Sequence, residues 1–222
     1  GDTVVVNGTL TLTDGKVGAP NSTDTSTLNA KGPISVAATF DGRYYWGGSA
    51  YVATLLINGT GDQSFTIPDG ASMPATTLNN ALTTITLSGT VTWLSATTLQ
   101  AGTMTLSSGA TYLTPATASD LTISGGTFNA TAGTVTVNNL AGGASVIISS
   151  GIFNAPSGTM TIGANLTIRG GTFNHNNGTV IFASTTYNVA VAGTTASAVS
   201  TAVSGWYAFE LRLGNNTSGG GK

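Results

Sequence analysis

The sequence predicts an all-β protein: a parallel β-solenoid with about three strands per coil and an irregular N-terminal β cap or inserted β region. Three observations support this prediction. A window of 17 residues recurs three times, each copy contains short apolar runs with a period of two, and glycine and asparagine lie where the runs join. None of the windows shows the period of about 3.6 residues that is typical of an amphipathic helix.

The three windows cover residues 121–137, 146–162 and 166–182 and align without gaps. Their sequences are LTISGGTFNATAGTVTV, VIISSGIFNAPSGTMTI and LTIRGGTFNHNNGTVIF, and their first residues are separated by 25 and then by 20 positions. In a parallel solenoid each coil stacks on the one before it, at roughly 4.8 Å along the axis. Residues at the same place in each window are therefore expected to lie above one another.

Three sets of matching residues are predicted to form columns in this stack. The phenylalanines are expected to stack inside the solenoid, where each pair of rings contributes about 0.5–1.5 kcal/mol beyond the area that it buries. The asparagine after each phenylalanine is expected at a corner, with its amide bonded to the next coil. The predicted columns are Phe128, Phe153 and Phe173; Asn129, Asn154 and Asn174; and Ile123, Ile148 and Ile168.

The last apolar run of each window is expected to alternate between the interior and solvent. The apolar residues predicted to be shared between the core and the outer face are Val135, Val137, Met160, Ile162, Val180 and Phe182. Of these, the ones placed inside are Val137, Ile162 and Phe182, and the threonines placed outside are Thr134, Thr159 and Thr179.

Weaker copies of the last run occur upstream and extend the predicted solenoid. GTLTL begins at Gly8, GTVTW at Gly89 and GTMTL at Gly102. Residues 91–106 match the window with about one residue deleted and without the Phe-Asn pair. This spacing predicts about four to six coils in total.

Four regions are predicted along the chain. Residues 1–15 provide the first strand or strands, or a strand for assembly, and residues 81–204 hold the solenoid repeats. Residues 16–80 lack the repeat and contain a cluster of aromatic residues, so they are expected to form a cap, an irregular set of coils or an inserted β-domain. Residues 205–222 break the repeat and are expected to form a C-terminal cap and a flexible tail.

The composition excludes several classes of partner. Charged residues make up 6% of the 222 residues, against about 25% in an ordinary soluble domain. The six basic residues are scattered, so the basic stripe that a nucleic acid requires is missing. No apolar run approaches the ~20 residues of a membrane-spanning helix, so no membrane insertion is expected. A net charge of -2 gives weak self-repulsion, which favours self-association.

No catalytic residue, metal site or cofactor is predicted. The chain has no cysteine, which excludes thiolate metal sites and disulfides. Some parallel β-solenoids cleave polysaccharides and need clustered carboxylates, but residues 70–222 contain only Asp120 and Glu210. His175 is the only histidine, and the residues beside it are asparagines. Four charged residues upstream could cluster, although turns explain them more simply: Asp41, Arg43, Asp62 and Asp69.

Aromatic residues offer one candidate binding surface. Tyr44, Tyr45, Trp46 and Trp93 could form a platform on which the apolar faces of sugars stack, because flat rings suit such faces. We favour the alternative that these rings belong to the core of a cap or to an assembly contact.

Pairs of the form Thr-x-Thr, such as Thr134 and Thr136, raise the alternative of an ice-binding face. A flat threonine array would need the same residues in every coil, but the outward position after Thr179 is Ile181. Threonine is also a favourable outward residue of any strand. The pattern is therefore better explained by strand formation than by ice binding.

The run GGTFNHNNGTVIF, followed by YAFELRLGNN, resembles the adhesin-like and autotransporter-passenger-like β-solenoid repeats of bacterial cell surfaces. This resemblance is one of repeat style. It implies an extracellular or cell-surface location and a structural or adhesive role, and it carries over no catalytic residue. We therefore expect a non-catalytic subunit of a fibre, filament, stalk or surface layer that assembles through strand edges or coil ends. The alternative is an adhesin or fibre module that binds glycans through its N-terminal aromatic residues.

Overall fold

The computed structural model describes residues 2–14, 26–42, 44–46, 49–51, 53–114, 119–137, 144–183, 189–191 and 208–209, and only the backbone of 44–46, 49–51, 189–191 and 208–209. Within these residues the protein is all-β and contains no helix, and its parallel sheets stack as a β-solenoid. The predicted fold class is therefore confirmed. The described segments include no helix of the length and apolarity that a membrane span needs.

The described strands are short, apart from four long ones in the middle of the chain. In chain order they are β1 Thr3–Val6, β2 Leu10–Leu12, β3 Thr27–Ala30, β4 Ile34–Val36, β5 Tyr44–Trp46, β6 Ser49–Tyr51, β7 Thr54–Ile57, β8 Phe65–Pro68, β9 Ser72–Met73, β10 Ala75–Ser88, β11 Thr90–Trp93, β12 Thr97–Leu106, β13 Thr111–Thr114, β14 Leu121–Asn129, β15 Thr134–Val137, β16 Val146–Asn154, β17 Thr159–Ile162, β18 Leu166–Ile168, β19 Thr172–Asn174, β20 Thr179–Phe182, β21 Val189–Val191 and β22 Ala208–Phe209.

Two large sheets form the walls of the solenoid. Sheet 1 has the order β1-β3-β7-β10-β12-β14-β16-β18-β21, with β8 also paired to β10 and β19 to β16. Sheet 2 has the order β22-β20-β17-β15-β13-β11-β9. Each strand pairs with its equivalents in the coils before and after it, and these pairs are parallel except that of β20 with β22. The result is about seven turns, not the predicted four to six, because the upstream coils lack the Phe-Asn pair used to count them.

The strand register follows the spacing of the repeated windows. Leu121 pairs with Val146, and Val146 pairs with Leu166, which gives the separations of 25 and 20 residues. Phe128 is in register with Phe153, and Phe153 with Phe173. The coils therefore absorb their difference in length outside the strands, and the paired positions stay aligned.

The first two apolar runs of the earlier windows are joined into one strand of nine residues. A bulge between Ile123 and Thr127 bends this strand at a corner of the solenoid. Glycine is required there: Gly151 has a φ of +80° and Gly171 a φ of +75°, both in the region that disfavours other residues. A Cβ on Gly171 would also lie 2.5 Å from the carbonyl oxygen of Gly151, so the coils approach each other closely at this corner.

The last run of each window has both of its alternate apolar positions inside. Val135 and Val137 have no exposed surface, and Thr134 is exposed. Met160, Ile162, Val180 and Phe182 are buried in the same way. The prediction that these residues are shared between the core and the outer face is wrong for Val135, Met160 and Val180, because residues two apart in a strand lie on the same side.

The upstream copy of the repeat has a different alignment from the predicted one. Met104 of GTMTL pairs with Phe128, so this run corresponds to GGTFN and not to GTVTV. The run GTVTW belongs to sheet 2, where Val91 pairs with Tyr112 and Tyr112 pairs with Val135. Residues 97–114 therefore form the coil that precedes 121–137, with methionine in the place of phenylalanine.

The N-terminal strands continue sheet 1 with the same parallel pairing. Thr3 pairs with Thr27, Thr27 with Thr54, and Thr54 with Ala75. Strands β5 and β6 are different, because they form an antiparallel pair outside both large sheets. At the other end of the chain, β22 pairs antiparallel with β20, and the rest of the predicted C-terminal cap and tail lies outside the described residues.

Candidate functional site

The predicted phenylalanine stack forms part of a longer column of rings inside the solenoid. The ring centroids of Phe128 and Phe153 are 5.0 Å apart, and those of Phe153 and Phe173 are 5.4 Å apart. Tyr112 meets Phe128 edge-on at 5.4 Å, and Trp93 stacks on Tyr112 at 4.7 Å. The two added rings come from sheet 2, so they bridge the walls of the solenoid and bind them into one core.

Trp93 is consequently unable to contact a glycan from solvent. Its side chain has no exposed surface and stacks on Tyr112. The expectation that Trp93 belongs to a binding or assembly surface is wrong, because the alternation of β11 directs it inward together with Val91. Tyr112 was not predicted from the sequence, although an alignment of residues 97–114 with 121–137 would have placed it opposite the buried Val135.

Each asparagine of the predicted column is the last residue of a strand of sheet 1, namely β14, β16 or β19. Asn129, Asn154 and Asn174 are in register, and the Nδ2 of Asn174 donates a hydrogen bond of 2.7 Å to Oδ1 of Asn154. Asn129 instead accepts a bond of 3.3 Å from the Thr131 hydroxyl.

The isoleucine column, by contrast, is internal: Ile123 and Ile148 have no exposed surface and Ile168 has 6%. These positions stabilise the stack and offer no reactive group.

Three carboxylates of the described residues, those of Asp62, Asp69 and Asp120, accept hydrogen bonds from backbone N–H groups. Oδ1 of Asp62 accepts a hydrogen bond from the backbone N–H of Ser64 at 2.8 Å, and hydrogen bonds from the Ser64 hydroxyl and this N–H lower the pKa of Asp62. Asp69 accepts one from the Thr90 N–H, and Asp120 accepts one from the Ser145 N–H, both at 2.7 Å.

The bond of Asp62 to Ser64 is the local turn chemistry that the sequence suggested. Asp69 also lies in a turn, but its bond to Thr90 reaches the next coil. Arg43 lies outside the described residues, whereas Asp41 forms an isolated bridge with Ser72. His175 is part of a turn, where its Nδ1 accepts a bond of 3.1 Å from the Asn177 N–H. In the described part of the chain, no three residues among His, Cys, Asp and Glu are grouped so that they could hold a metal ion.

The predicted aromatic platform falls in the antiparallel pair of β5 and β6. Tyr44 pairs with Tyr51 and Trp46 pairs with Ser49 in the backbone register. The side chains of Tyr44, Tyr45 and Trp46 lie outside the described residues. This stretch is nevertheless distinct from the two walls, since neither strand joins sheet 1 or sheet 2.

The outward face of sheet 2 carries two columns of residues at the Thr-x-Thr positions. One column consists of Thr90, Thr111, Thr134, Thr159 and Thr179. The other column is interrupted, because Leu113 pairs with Thr136 and Thr161 pairs with Ile181. The face is thus not a continuous threonine array, in agreement with the expectation from Ile181.

A further surface lies at the N-terminal end of sheet 1, which we call the first-coil end and define as Val4, Val5 and Val6 of β1. Val4 is 60% exposed and Val5 is 50% exposed, whereas Val6 is half-buried. β1 is the first strand of sheet 1 and pairs only with β3 in the described structure. Large apolar side chains are therefore exposed at the open edge of a parallel sheet.

The exposure of Val4 is abnormal for the position that it occupies. Val4 pairs with Leu28, which pairs with Leu55, and the same column continues through Leu121. Leu55 is 1% exposed and Leu121 has no exposed surface. Val4 thus belongs to an interior column, and it is exposed because no described coil covers it.

Only one edge of strand β1 forms backbone hydrogen bonds with a neighbouring coil in the described structure. The carbonyl oxygens of Asp2 and Val6 accept hydrogen bonds of 2.9 Å from the N–H groups of Thr27 and Lys31 in the next coil. Alternate residues of a strand direct their backbone groups to opposite sides. The N–H and C=O of Val5 therefore point away from the solenoid, where they could pair with an added strand.

Comparison with family models, with curated proteins and with solved structures finds no match to this chain. The parallel repeat arrangement is established by the strand pairing itself.

Proposed function

We propose that this chain is a non-catalytic structural protein, an extracellular β-solenoid subunit that assembles with further copies into a fibre, filament, stalk or surface layer. The first-coil end is the single observation that carries the proposal. There, Val4 of an interior column is 60% exposed, beside backbone groups that point to an edge left open in the described structure. A coil added at this end would bury Val4 and pair these groups.

The occupant that fits this end is a second copy of the chain. The last described strand of sheet 1, β21, is in backbone register with the same two columns: Val189 pairs with Leu166, and Val191 pairs with Ile168. A neighbour that presents this end to β1 would continue the columns of Val4 and Val6 with the parallel pairing already used between coils. Such a contact joins two different surfaces and does not close on itself, so it produces a linear assembly.

The low charge of the chain supports association. The net charge is -2 over 222 residues, and β1 contains no charged residue. Electrostatic repulsion between stacked copies would therefore be weak. The extracellular placement rests on the composition and on the similarity of repeat style to adhesin-like and autotransporter-passenger-like proteins.

The test compares the assembly of the purified chain with that of variants at the first-coil end. Sedimentation velocity over a range of concentrations, followed by electron microscopy, should reveal linear assemblies of the unaltered protein. The variant Val4→Lys should stay monomeric, because its charge would be desolvated at the contact. Leu82→Lys is the matched control, since Leu82 is 63% exposed and lies away from this end.

A second variant tests the backbone instead of the side chains. Val5→Pro removes an N–H that points to the open edge while the bonds of Asp2 and Val6 to the next coil remain. We expect it to prevent assembly and to leave the β circular dichroism spectrum unchanged. Strictly monomeric wild-type protein at every concentration, or a closed dimer that grows no further, would contradict the proposal.

The alternative function is glycan binding by the stretch from Tyr44 to Tyr51, which forms a strand pair outside the two walls. Aromatic rings from this stretch could stack on sugars. A glycan array with Trp46→Ala as the control tests this alternative. It would be rejected if no glycan is bound, or if Trp46→Ala binds as the unaltered chain does.

A further inference from the structure

Five buried polar atoms around one coil have no hydrogen-bond partner in the described structure. Each belongs to a side chain with no exposed surface. We call this group the polar cluster, and its atoms are Nε1 of Trp93, Oγ1 of Thr97, the hydroxyl of Tyr112, Oγ1 of Thr114 and Oγ of Ser119. Leaving a buried donor or acceptor unpaired destabilises a fold, so such groups are normally satisfied by protein or by ordered water.

The members of the polar cluster are neighbours in space. Trp93 stacks on Tyr112, and Thr114 follows Tyr112 on the same side of β13. Thr97 is close enough for its hydroxyl to influence the pKa of Tyr112, although the two hydroxyls do not form a bond of ordinary geometry. Ser119 precedes Asp120, whose carbonyl oxygen accepts the N–H of Thr97 at 2.9 Å.

The next coil, residues 121–137, has aliphatic residues at the positions that correspond to Thr97 and Thr114. Thr97 pairs with Leu121, and Thr114 pairs with Val137. In the coil before it, Thr76 pairs with Thr97 but donates its hydroxyl to the carbonyl oxygen of Pro74 at 2.9 Å. The polar cluster is therefore a local departure from an apolar core, and it differs from Thr76 in having no internal partner.

The chemistry of the polar cluster identifies the kind of ligand that it would bind. The Trp93 N–H can only donate, which disfavours a cation, and the cluster contains no positive charge that could hold an anion. The four hydroxyls both donate and accept. A small neutral molecule that donates and accepts is therefore required, and water has this property.

We propose that the polar cluster is an internal water-binding site, in which ordered water molecules bridge the Trp93 N–H and the hydroxyls of Thr97, Tyr112, Thr114 and Ser119. An internal water makes about three hydrogen bonds, so five polar groups suit about two waters that also bond to each other or to backbone carbonyls. The waters would occupy the place that Leu121 and Val137 fill in the next coil.

Removal of single hydroxyls from the full chain tests this site. If water bridges the polar cluster, Thr97→Val and Tyr112→Phe should each lower the melting temperature by about 2–4 °C, because a water loses a partner. Thr76→Val is the matched control for a hydroxyl bonded directly to protein, and it should also lower the melting temperature. A rise in melting temperature for Thr97→Val and Tyr112→Phe would overturn the proposal, since it would mean that the groups are dry and unpaired.

A direct measurement distinguishes water from a dry network of hydroxyls. Magnetic relaxation dispersion of water nuclei counts long-lived internal waters. The count should fall from the unaltered chain to the double variant Thr97→Val/Thr114→Val and should not change in Thr122→Val, which alters a partly exposed neighbour of Leu121. An equal count in the double variant and the unaltered chain would contradict the proposal, and this readout is independent of the assembly test above.

Discussion

The ring of Phe128 lies nearly parallel to that of Phe153 in the next coil, with 5.0 Å between centroids and 19° between planes. Both side chains have no exposed surface, although 25 residues separate them in the sequence. The pair shows that the spacing of the windows is the spacing of the coils. It also provides the most direct test of how the core is held together.

Phe153→Ala should lower the free energy of unfolding by about 3–5 kcal/mol, because it removes a ring that is packed between two others and leaves a cavity. Phe173→Ala, at a half-buried position of the same column, should cost less. Urea denaturation followed by circular dichroism gives both values. Equal effects of the two substitutions would mean that the interior position has no special role.

Gly151→Ala should destabilise the corner of the solenoid by about 1–3 kcal/mol. Gly151 has a φ of +80°, and a Cβ there would clash with the carbonyl oxygen of Gly126 in the preceding coil. Gly158→Ala is the matched control, because a Cβ at Gly158 has no atom within 4 Å. Thermal unfolding of the two variants should therefore differ, and similar melting temperatures would contradict the close approach of the coils at Gly151.

Gln63→Leu should cost at least about 3 kcal/mol, because it leaves several buried backbone groups without a partner. Oε1 of Gln63 accepts the Gly59 N–H at 2.6 Å, and Nε2 donates to the carbonyl oxygens of Ala30 at 3.0 Å and Gly32 at 2.6 Å. The control is Gln100→Leu at an exposed position, where a change within about 0.5 kcal/mol is expected. Urea unfolding of both variants tests whether these bonds of one amide hold two coils together.

The stability of the protein should decrease in alkaline solution through Tyr112. Burial raises the pKa of Tyr112 above its ordinary value of 10.0, an effect that Thr97 opposes and the charge of Asp120 increases. Above that ordinary value the unfolded chain loses the phenolic proton while the folded chain keeps it. The free energy of unfolding therefore falls with rising pH, by up to about 1.4 kcal/mol per pH unit.

The comparison of urea unfolding at about pH 9 and about pH 11 in the unaltered chain and in Tyr112→Phe isolates this effect. The other tyrosines are present in both proteins, so their contributions cancel. The dependence on pH should be shallower in Tyr112→Phe. Identical slopes would mean that Tyr112 ionises as easily in the folded chain as in the unfolded one.

The sequence was sufficient to predict the fold where the repeat is regular. Identical residues at fixed phase predicted the register of Phe128 with Phe153, because in a parallel ladder equal phase means vertical alignment. The same method failed upstream, where Met104 occupies the place of phenylalanine and the coil could not be recognised. The number of coils was underestimated for this reason.

The repeat could not predict contacts between sheet 1 and sheet 2, because it relates only residues within one sheet. Trp93 and Tyr112 belong to sheet 2, and no period in the sequence relates them to the phenylalanines of sheet 1. The role of Gln63 was equally hidden, since it depends on backbone groups that two coils bring together. At the candidate site, the sequence identified the N-terminal strand, but only the exposed fraction of Val4 reveals that a position of an interior column is uncovered there.

Because the coils differ in length, they should give extension steps of different size when the protein is pulled apart. Each coil bonds only to its two neighbours, so a load applied along the axis detaches coils one at a time from an end. Stretched at about 3.5 Å per residue, a detached coil of 25 residues would lengthen the pulled molecule by about 88 Å, and a coil of 20 residues by about 70 Å. The order of long and short steps in a single-molecule pulling trace would then record which end yields first.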